Sequence, residues 1–505
     1  ASIYERLVRS GVDVIEIGFL DDRRTFDPER TIMPSTDCAG KIFGNMDRGD
    51  AMVVGMIDYG TCSIENLQPC SESFLDGIRV IFKKEKMYPA MEFCRQVKAL
   101  GYKVFSQLVS VTSYSDEELK EVVGLVNDCH PYAMSMVDTY GLCDAPTLSH
   151  IVEVIDSCLD EDITLGYHAH NNFQLGYANA VSVLNSGLKR DVLVDGTLYG
   201  MGKSAGNAPL ELLAMYMNLN FGKKYHLGQI QEAISTCILD LYHKKPWGYT
   251  LFYYIAASNR CHPDYVSYLM NKRTLSVTSV NEILQRIPEE KKLAKDIPLI
   301  RGLYREYLNK ECDDREALEE LSGRLRGKEV LMLGPGRNAT LGQERIQETI
   351  QQEKPVVIAI NYIPQQITPD YLFLTNSRRY LQMSSQLLKE ENRQVPIIAT
   401  SNITEAERPF SYVVNYSNLI DEEAEFMDNS MMMLVRLLLK AGVHRILLAG
   451  FDGYTPDDVN YFDENMEYSF VKEKADSLNE SGRQFFREIR GQAEIRFVTG
   501  SYYQE

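Results

Sequence analysis

No uninterrupted apolar run in the 505 residues approaches the roughly 18 needed to cross a bilayer as a helix. The richest stretch, 431–450, is broken by Arg436, Lys440, His444 and Arg445. A membrane partner is therefore not expected. Cations are in deficit: 53 Lys and Arg stand against 71 Asp and Glu, a net charge of −18. An acidic surface repels phosphate backbones, which argues against sequence-independent DNA or RNA binding. The ten cysteines form no C-x-x-C pair, and none lies beyond Cys312. That usage fits inert thiols in a reducing cytoplasm rather than a disulfide framework. No apolar signal core follows Ala1; the chain opens inside what reads as an amphipathic helix. With 44% hydrophobic and 25% charged residues, disorder over most of the length is excluded.

What is present is alternation. Short apolar runs occupy 12–19, 51–57, 76–82, 102–109, 132–138, 163–170 and 191–198, with helical patterns between them. Most lack polar alternation, as strands covered on both faces do. Ser115, followed by three acids, predicts a capped helix start. Strand–helix alternation means a parallel sheet, and the reading is a (β/α)₈ barrel over 1–225. Seven strands are visible where such a barrel has eight. The expectation is that the first lies before residue 1 and that the sequence is N-terminally incomplete. Residues 226–325 read as a helical post-barrel region. From 326 to 505 strands return, interleaved with helical segments at 340–353 and 424–441. This predicts a doubly wound, Rossmann-like α/β domain.

The sharpest local feature is GYHAHNNFQLGYANA, 166–180. His168 and His170 are two apart at a strand end, so both imidazoles point to one side. Two imidazoles on one face suit a divalent cation, and a pair of hydrogen-bonded structural histidines is the alternative. The next strand leads through Asp195 and Thr197 into a glycine-rich turn and Asn207. An amide oxygen can serve as a hard ligand beside histidines; the other reading of Asn207 is a helix cap. Glu16 is a carboxylate inside an apolar strand, and Asp138 and Thr139 end another. Such groups mark either function or a structural ion pair inside the barrel. Arg79, in GIRVIF, is a candidate for a substrate carboxylate or for pairing with a neighbouring acid.

The order IEIGF, VDTYG, HAHNN, VDGTLYGMGKSAGNAPLE resembles the metal-dependent aldolase/Claisen-type superfamily, nearest its 4-hydroxy-2-oxovalerate aldolase branch. The resemblance covers roughly residues 1–225. It implies His168, His170 and Asn207 as ligands of a divalent metal, Mn²⁺ or Mg²⁺, with Co²⁺ or Zn²⁺ as alternatives. It implies Glu16 near the reacting groups; Arg79, Asp138 and Thr139 are the substrate-facing candidates from the residues themselves. It also implies a tyrosine after the barrel as a proton carrier. Tyr249 is the candidate, with Tyr253 and Tyr254 as alternatives; packing of a helical bundle is the other reading of all three. His262, in the same segment, reads more strongly still as structural. The implied activity is an aldolase forming or cleaving a 4-hydroxy-2-oxo acid through the enolate of pyruvate, with a 2-oxo acid and an aldehyde as partners. A Claisen-type acyltransferase using acyl-CoA is the alternative within the superfamily. A non-catalytic barrel joined to a nucleotide- or sugar-phosphate-binding domain is the alternative outside it. Two departures stand out: the family's D-x-T-x-R-D strand is missing, and the Gly200–Asn207 loop has no cysteine, which argues against a 3-hydroxy-3-methylglutaryl-CoA lyase. A homodimer is expected only from the prevalence of two-fold symmetry.

In the last third, VLMLGPGRNATLG (330–342) reads as strand, turn and helix, and Gly334 and Gly336 are candidates to hold a phosphate. Asn361, Thr375, Asn376 and Asp452 fall at predicted strand ends, where open sheets bind ligands. This part resembles Rossmann-like domains of bacterial glycan-modifying proteins, including the motility-accessory and sialyltransferase-like families.

Overall fold

A computed structural model describes residues 1–272, 275–308, 312–403, 408–421, 429–463 and 469–504. The chain divides into two compact units, Ala1–Pro263 and Asp264–Glu505. The helical region anticipated at 226–325 is thus shared between them.

The first unit carries an eight-stranded parallel sheet: β1 (Val14–Leu20), β2 (Ile32–Met33), β3 (Met52–Asp58), β4 (Gly77–Phe82), β5 (Lys103–Val109), β6 (Ala133–Asp138), β7 (Thr164–Ala169) and β8 (Val192–Val194). Their order is β2-β1-β3-β4-β5-β6-β7-β8. Helices such as Met87–Ala99, Asp116–Cys129 and Ala145–Asp156 alternate with the strands in the manner of a TIM barrel. The seven strands read from sequence all form. The eighth is β2, too short to show periodicity, and it pairs only with Phe19 and Leu20 of β1. Every residue of β6 is buried, whereas β1 alternates and β8 is half-buried throughout. Strands at the two ends of the sheet have fewer neighbours to cover them. Among the described residues no pairing joins β8 to β1 or β2.

Ser115 caps its helix as the sequence suggests. Its hydroxyl accepts from the Glu118 amide (3.3 Å), and the Glu118 carboxylate accepts from the Ser115 amide (2.8 Å).

Side chains inside the sheet are layered by the two-residue strand period. Val54, Phe105 and Ala133 form a small apolar layer, packed by Val14, Met52 and Leu193. Two residues further along, the same strands carry different chemistry: Val14 gives way to Glu16, Phe105 to Gln107, Ala133 to Ser135 and Leu193 to Asp195. Gly77, whose absent Cβ leaves room for Phe105 and Val54, gives way to Arg79. An apolar floor thus lies beneath a charged layer nearer the carboxyl ends of the strands.

The second unit carries β9 (Glu329–Leu333), β10 (Val356–Ile360), β11 (Tyr371–Leu374), β12 (Ile397–Thr400), β13 (Tyr412–Val414), β14 (Arg445–Ala449) and β15 (Glu494–Phe497). All pairs are parallel, in the order β13-β12-β11-β10-β9-β14-β15. The chain builds outward from β9 and then returns to β9's other side, the pattern of a doubly wound sheet. Six of these strands are legible in the sequence; β13, three residues long, is not. Helices Gln343–Glu353 and Ser430–Lys440 stand where helical patterns were read, although residues 424–428 lie outside the described residues. No described helix is long and apolar enough to cross a membrane.

Candidate metal centre at the barrel mouth

β7 ends in His168 and Ala169, and His170 follows directly. Strand alternation places both imidazoles on one side, with ring centroids 5.3 Å apart. An antiparallel bridge joins His170 to Asn207, and the Asn171 amide donates to the Gly206 carbonyl (2.9 Å). The turn after β8 is thereby pressed onto the end of β7. Glycine is required here for closeness: a Cβ on Gly202 would lie 2.6 Å from Asn207 Nδ2.

Each imidazole is held through Nδ1. His168 Nδ1 lies 2.7 Å from Asp195 Oδ2, and His170 Nδ1 lies 3.1 Å from the Lys203 carbonyl. A carbonyl can only accept, so His170 donates from Nδ1 and keeps its Nε2 lone pair. The Asp195 carboxylate imposes the same tautomer on His168. Burial, with help from nearby His168, pushes the His170 pKa down to about 3, so the ring is neutral near pH 7. Asn207 Nδ2 donates to the Met201 carbonyl (3.3 Å), but its Oδ1 is buried without a hydrogen-bond partner. An orphaned buried oxygen is costly unless something fills its coordination. Two imidazoles with Nε2 uncommitted and one unsatisfied amide oxygen make a donor set that fits a divalent cation. Among the described residues no three His, Cys, Asp or Glu side chains gather as a metal centre, because the third donor here is an amide.

Beneath the imidazoles lies the charged layer. Arg79 Nη1 donates to Glu16 Oε2 (2.9 Å), and Nη2 donates to Asp195 and to Gln107 Oε1 (3.1 Å). Gln107 Nε2 in turn donates to Ser135 Oγ (3.1 Å). Burial alone would raise the Asp195 pKa, but Arg79 and His168 hold it well below the ordinary carboxylate range. Glu16 goes the other way: burial raises its pKa more than Arg79 lowers it.

Other residues singled out in the sequence are engaged within the fold or stand at its surface. Arg79 does not stand ready for a substrate carboxylate; its side chain is 8% exposed and clamped between Glu16 and Asp195. Asp138 is spent on the turn after β6, accepting from the amides of Leu142 (2.8 Å) and Cys143 (3.1 Å). Thr139 Oγ1 accepts from the Ser110 amide (2.8 Å). Tyr249 is 51% exposed, and Tyr254 is exposed as well. His262 makes an edge contact with Tyr140. Asp195, the orienting carboxylate, and Gln107 were not among the site candidates. Their signal was polar side chains within apolar strands at the same register as Glu16.

In the second unit, Asn361, Thr375, Asn376 and Asp452 all line one cavity of about 200 Å³ at the carboxyl ends of β9, β10, β11 and β14. A second cavity of about 530 Å³ shares Asn361 and Arg379 with it. Asn361 takes a left-handed φ of 56°, and its Nδ2 donates to Thr375 (3.1 Å) and Ser430 (2.8 Å). The phosphate role for Gly334 and Gly336 fails on hydrogen-bond accounting. Their amides already donate to the carbonyls of Ala449 (2.8 Å) and Gly450 (2.9 Å). The Asn338 amide at the following helix start is taken by Asp452 Oδ2 (2.7 Å), which sets a carboxylate where an anion would bind. Burial raises the Asp452 pKa to about 6.

The sequence comparisons bear on the first unit. Residues 1–236 match the HMGL-like family model. The 4-hydroxy-2-oxovalerate aldolase 2 of Salinispora arenicola is 26% identical over 237 residues, covering 46% of this chain and 64% of the aldolase. The oxaloacetate decarboxylase of Mycobacterium tuberculosis is 27% identical over 178 residues, covering 35% of this chain and 50% of that enzyme. The chain thus spans between half and two thirds of the length of these two relatives. Among solved structures, the hydroxymethylglutaryl-CoA lyase of Pseudomonas aeruginosa aligns with a TM-score of 0.39 at 16% identity, over 47% of this chain and 84% of the lyase.

Proposed function

We propose that the first unit is a divalent-metal-dependent carbon–carbon lyase acting on a 2-oxo acid, with a 4-hydroxy-2-oxo acid as the substrate class and Mn²⁺ or Mg²⁺ as the cation. The observation that carries this reading is the buried Asn207 Oδ1, unpartnered beside two imidazoles whose Nδ1 atoms are both engaged. His168, His170 and Asn207 would hold the cation, which when bound supplies Lewis acidity to the 2-oxo acid. Asp195 fixes the rotamer and tautomer of His168. Arg79 pairs with both Asp195 and Glu16 and holds the two carboxylates in place. Glu16, on the same layer and with a raised pKa, is suited to exchange a proton at the site mouth. Tyr249 is the candidate carrier for a substrate hydroxyl proton, with an aldehyde as the second product in the cleavage direction.

The test is exchange of the methyl protons of pyruvate with deuterated water, followed by ¹H NMR. Exchange is expected with Mg²⁺, to be abolished by EDTA, and to be lost in His168→Ala and Asn207→Ala. Exchange that survives EDTA, or that survives in both variants, contradicts the reading.

The cavities of the second unit favour a second, separate function, binding of a nucleotide or sugar phosphate at the carboxyl ends of β9, β10, β11 and β14. Arg379 lines both cavities, where its Nη1 donates to Gln382 (3.0 Å). Uridine monophosphate and ribose 5-phosphate, titrated calorimetrically, are expected to bind with one site, weakened at least tenfold by Arg379→Gln. Equal heats for wild type and variant contradict this reading.

A further inference from the structure

The turn that presents Asn207 is strained. Between Tyr199 and Asn207 the backbone takes left-handed φ at four residues: Tyr199 (55°), Gly200 (64°), Ser204 (58°) and Gly206 (85°). Two of these carry side chains, for which that region is unfavourable, and such conformations persist only where surroundings over-determine them. Part of the hold comes from within the barrel. The Asn207 amide donates to the Gly200 carbonyl (2.9 Å), Thr197 Oγ1 donates to the Met201 carbonyl (2.6 Å), and the Tyr199 amide donates to Glu211 (3.1 Å).

The rest comes from a residue more than forty positions further along the chain. Trp247, the single tryptophan, donates from Nε1 to the Tyr199 carbonyl (2.9 Å). Its ring also covers the other end of the turn: a Cβ on Gly206 would lie 3.3 Å from Trp247 Cδ1. Tyr242 packs edge-on against both Trp247 (4.9 Å) and Tyr199 (5.2 Å), which fixes the indole in place. One side chain therefore touches the residue that opens the turn and the residue immediately before Asn207. An indole is suited to this because its flat face packs while its single N–H holds a carbonyl.

We infer that Trp247 is a positioning residue: it braces the Tyr199–Asn207 turn from outside the barrel and so sets the Asn207 amide against His168 and His170. This deepens the metal reading and rests on it for its consequence, although the bracing itself is a property of the metal-free chain.

The full chain is examined as wild type and as Trp247→Phe, which keeps an aromatic ring and removes the N–H donor. Mn²⁺ affinity is read from the electron paramagnetic resonance of free Mn²⁺, and local stability from amide hydrogen exchange. The variant is expected to bind Mn²⁺ at least fivefold more weakly. Amides of 199–207 are expected to exchange at least fivefold faster, with β7 and the thermal midpoint little changed. Wild-type affinity together with wild-type exchange in the variant overturns the inference, as does uniform loss of protection across the first unit. A wild-type chain that binds no Mn²⁺ contradicts the metal reading, and the exchange rates of 199–207 then decide the brace alone. If the variant does not fold, the fluorescence of Trp247 in the wild type decides. A saturable change on adding Mg²⁺, lost with Asn207→Ala, supports the brace, and unaltered emission contradicts it.

Discussion

Arg79 shows how one side chain can read as substrate-binding and yet serve another role. Its strand register places it in the charged layer, where Glu16 and Asp195 already meet it. Removing one partner of a buried ion cluster leaves uncompensated charge, and Arg79→Met is expected to lower unfolding free energy by about 3–5 kcal/mol. Urea unfolding measures this; a loss under about 1 kcal/mol would mean the carboxylates find other partners. His170 carries a different signature. Its pKa falls from the ordinary value near 6.5 to about 3 on folding, so between these limits the unfolded chain binds the extra proton. Its contribution is intact above about pH 6.5 and is lost as pH falls toward 3. The drop in thermal midpoint from pH 7 to pH 4.5, in EDTA, is therefore expected to be smaller for His170→Asn than for wild type. That His168, His170 and Asn207 lie together was legible in the sequence, because a two-residue strand period and a glycine turn shape their geometry locally. The partners of Asp138, Thr139, Gly334 and Gly336 were not legible, because the groups they meet, the amides of Leu142, Cys143 and Ser110 and the carbonyls of Ala449 and Gly450, are set by turns and tertiary packing.

Strands of five or more residues were readable, because apolar runs of that length declare themselves. β2 and β13 were not, since neither lies in a longer apolar run as the three-residue β8 does within 191–198. The turn Tyr199–Asn207 combines both: its glycines are visible in the sequence, whereas the bonds it makes with Trp247, Glu211 and Thr197 are tertiary. Two substitutions separate what a turn and a helix contribute. Gly206→Ala would place a Cβ 2.2 Å from the Gly200 carbonyl oxygen at a φ of 85°, so the backbone must move. It is expected to weaken Mn²⁺ binding at least tenfold. Ser115→Ala removes a capping box and is expected to cost about 1 kcal/mol of stability with Mn²⁺ affinity unchanged. Titration of both variants beside wild type checks the contrast; equal metal affinity in all three contradicts it.

The molecule as a whole joins two parallel α/β units of different design. The first stacks a charged layer on an apolar floor inside its sheet. The second leaves its sheet open with cavities at the strand ends. Composition and alternation conveyed both designs, whereas the boundary at Pro263 lies within a run of helices that offers no change of pattern to mark it. Everything proposed for the first unit depends on whether the layered interior ends in a cation site. Anomalous diffraction from crystals of the chain grown with Mn²⁺ measures that directly. The expected result is a single strong peak in contact with His168 Nε2, His170 Nε2 and Asn207 Oδ1. A map with no peak there, or with Mn²⁺ held only by surface carboxylates, would contradict the account.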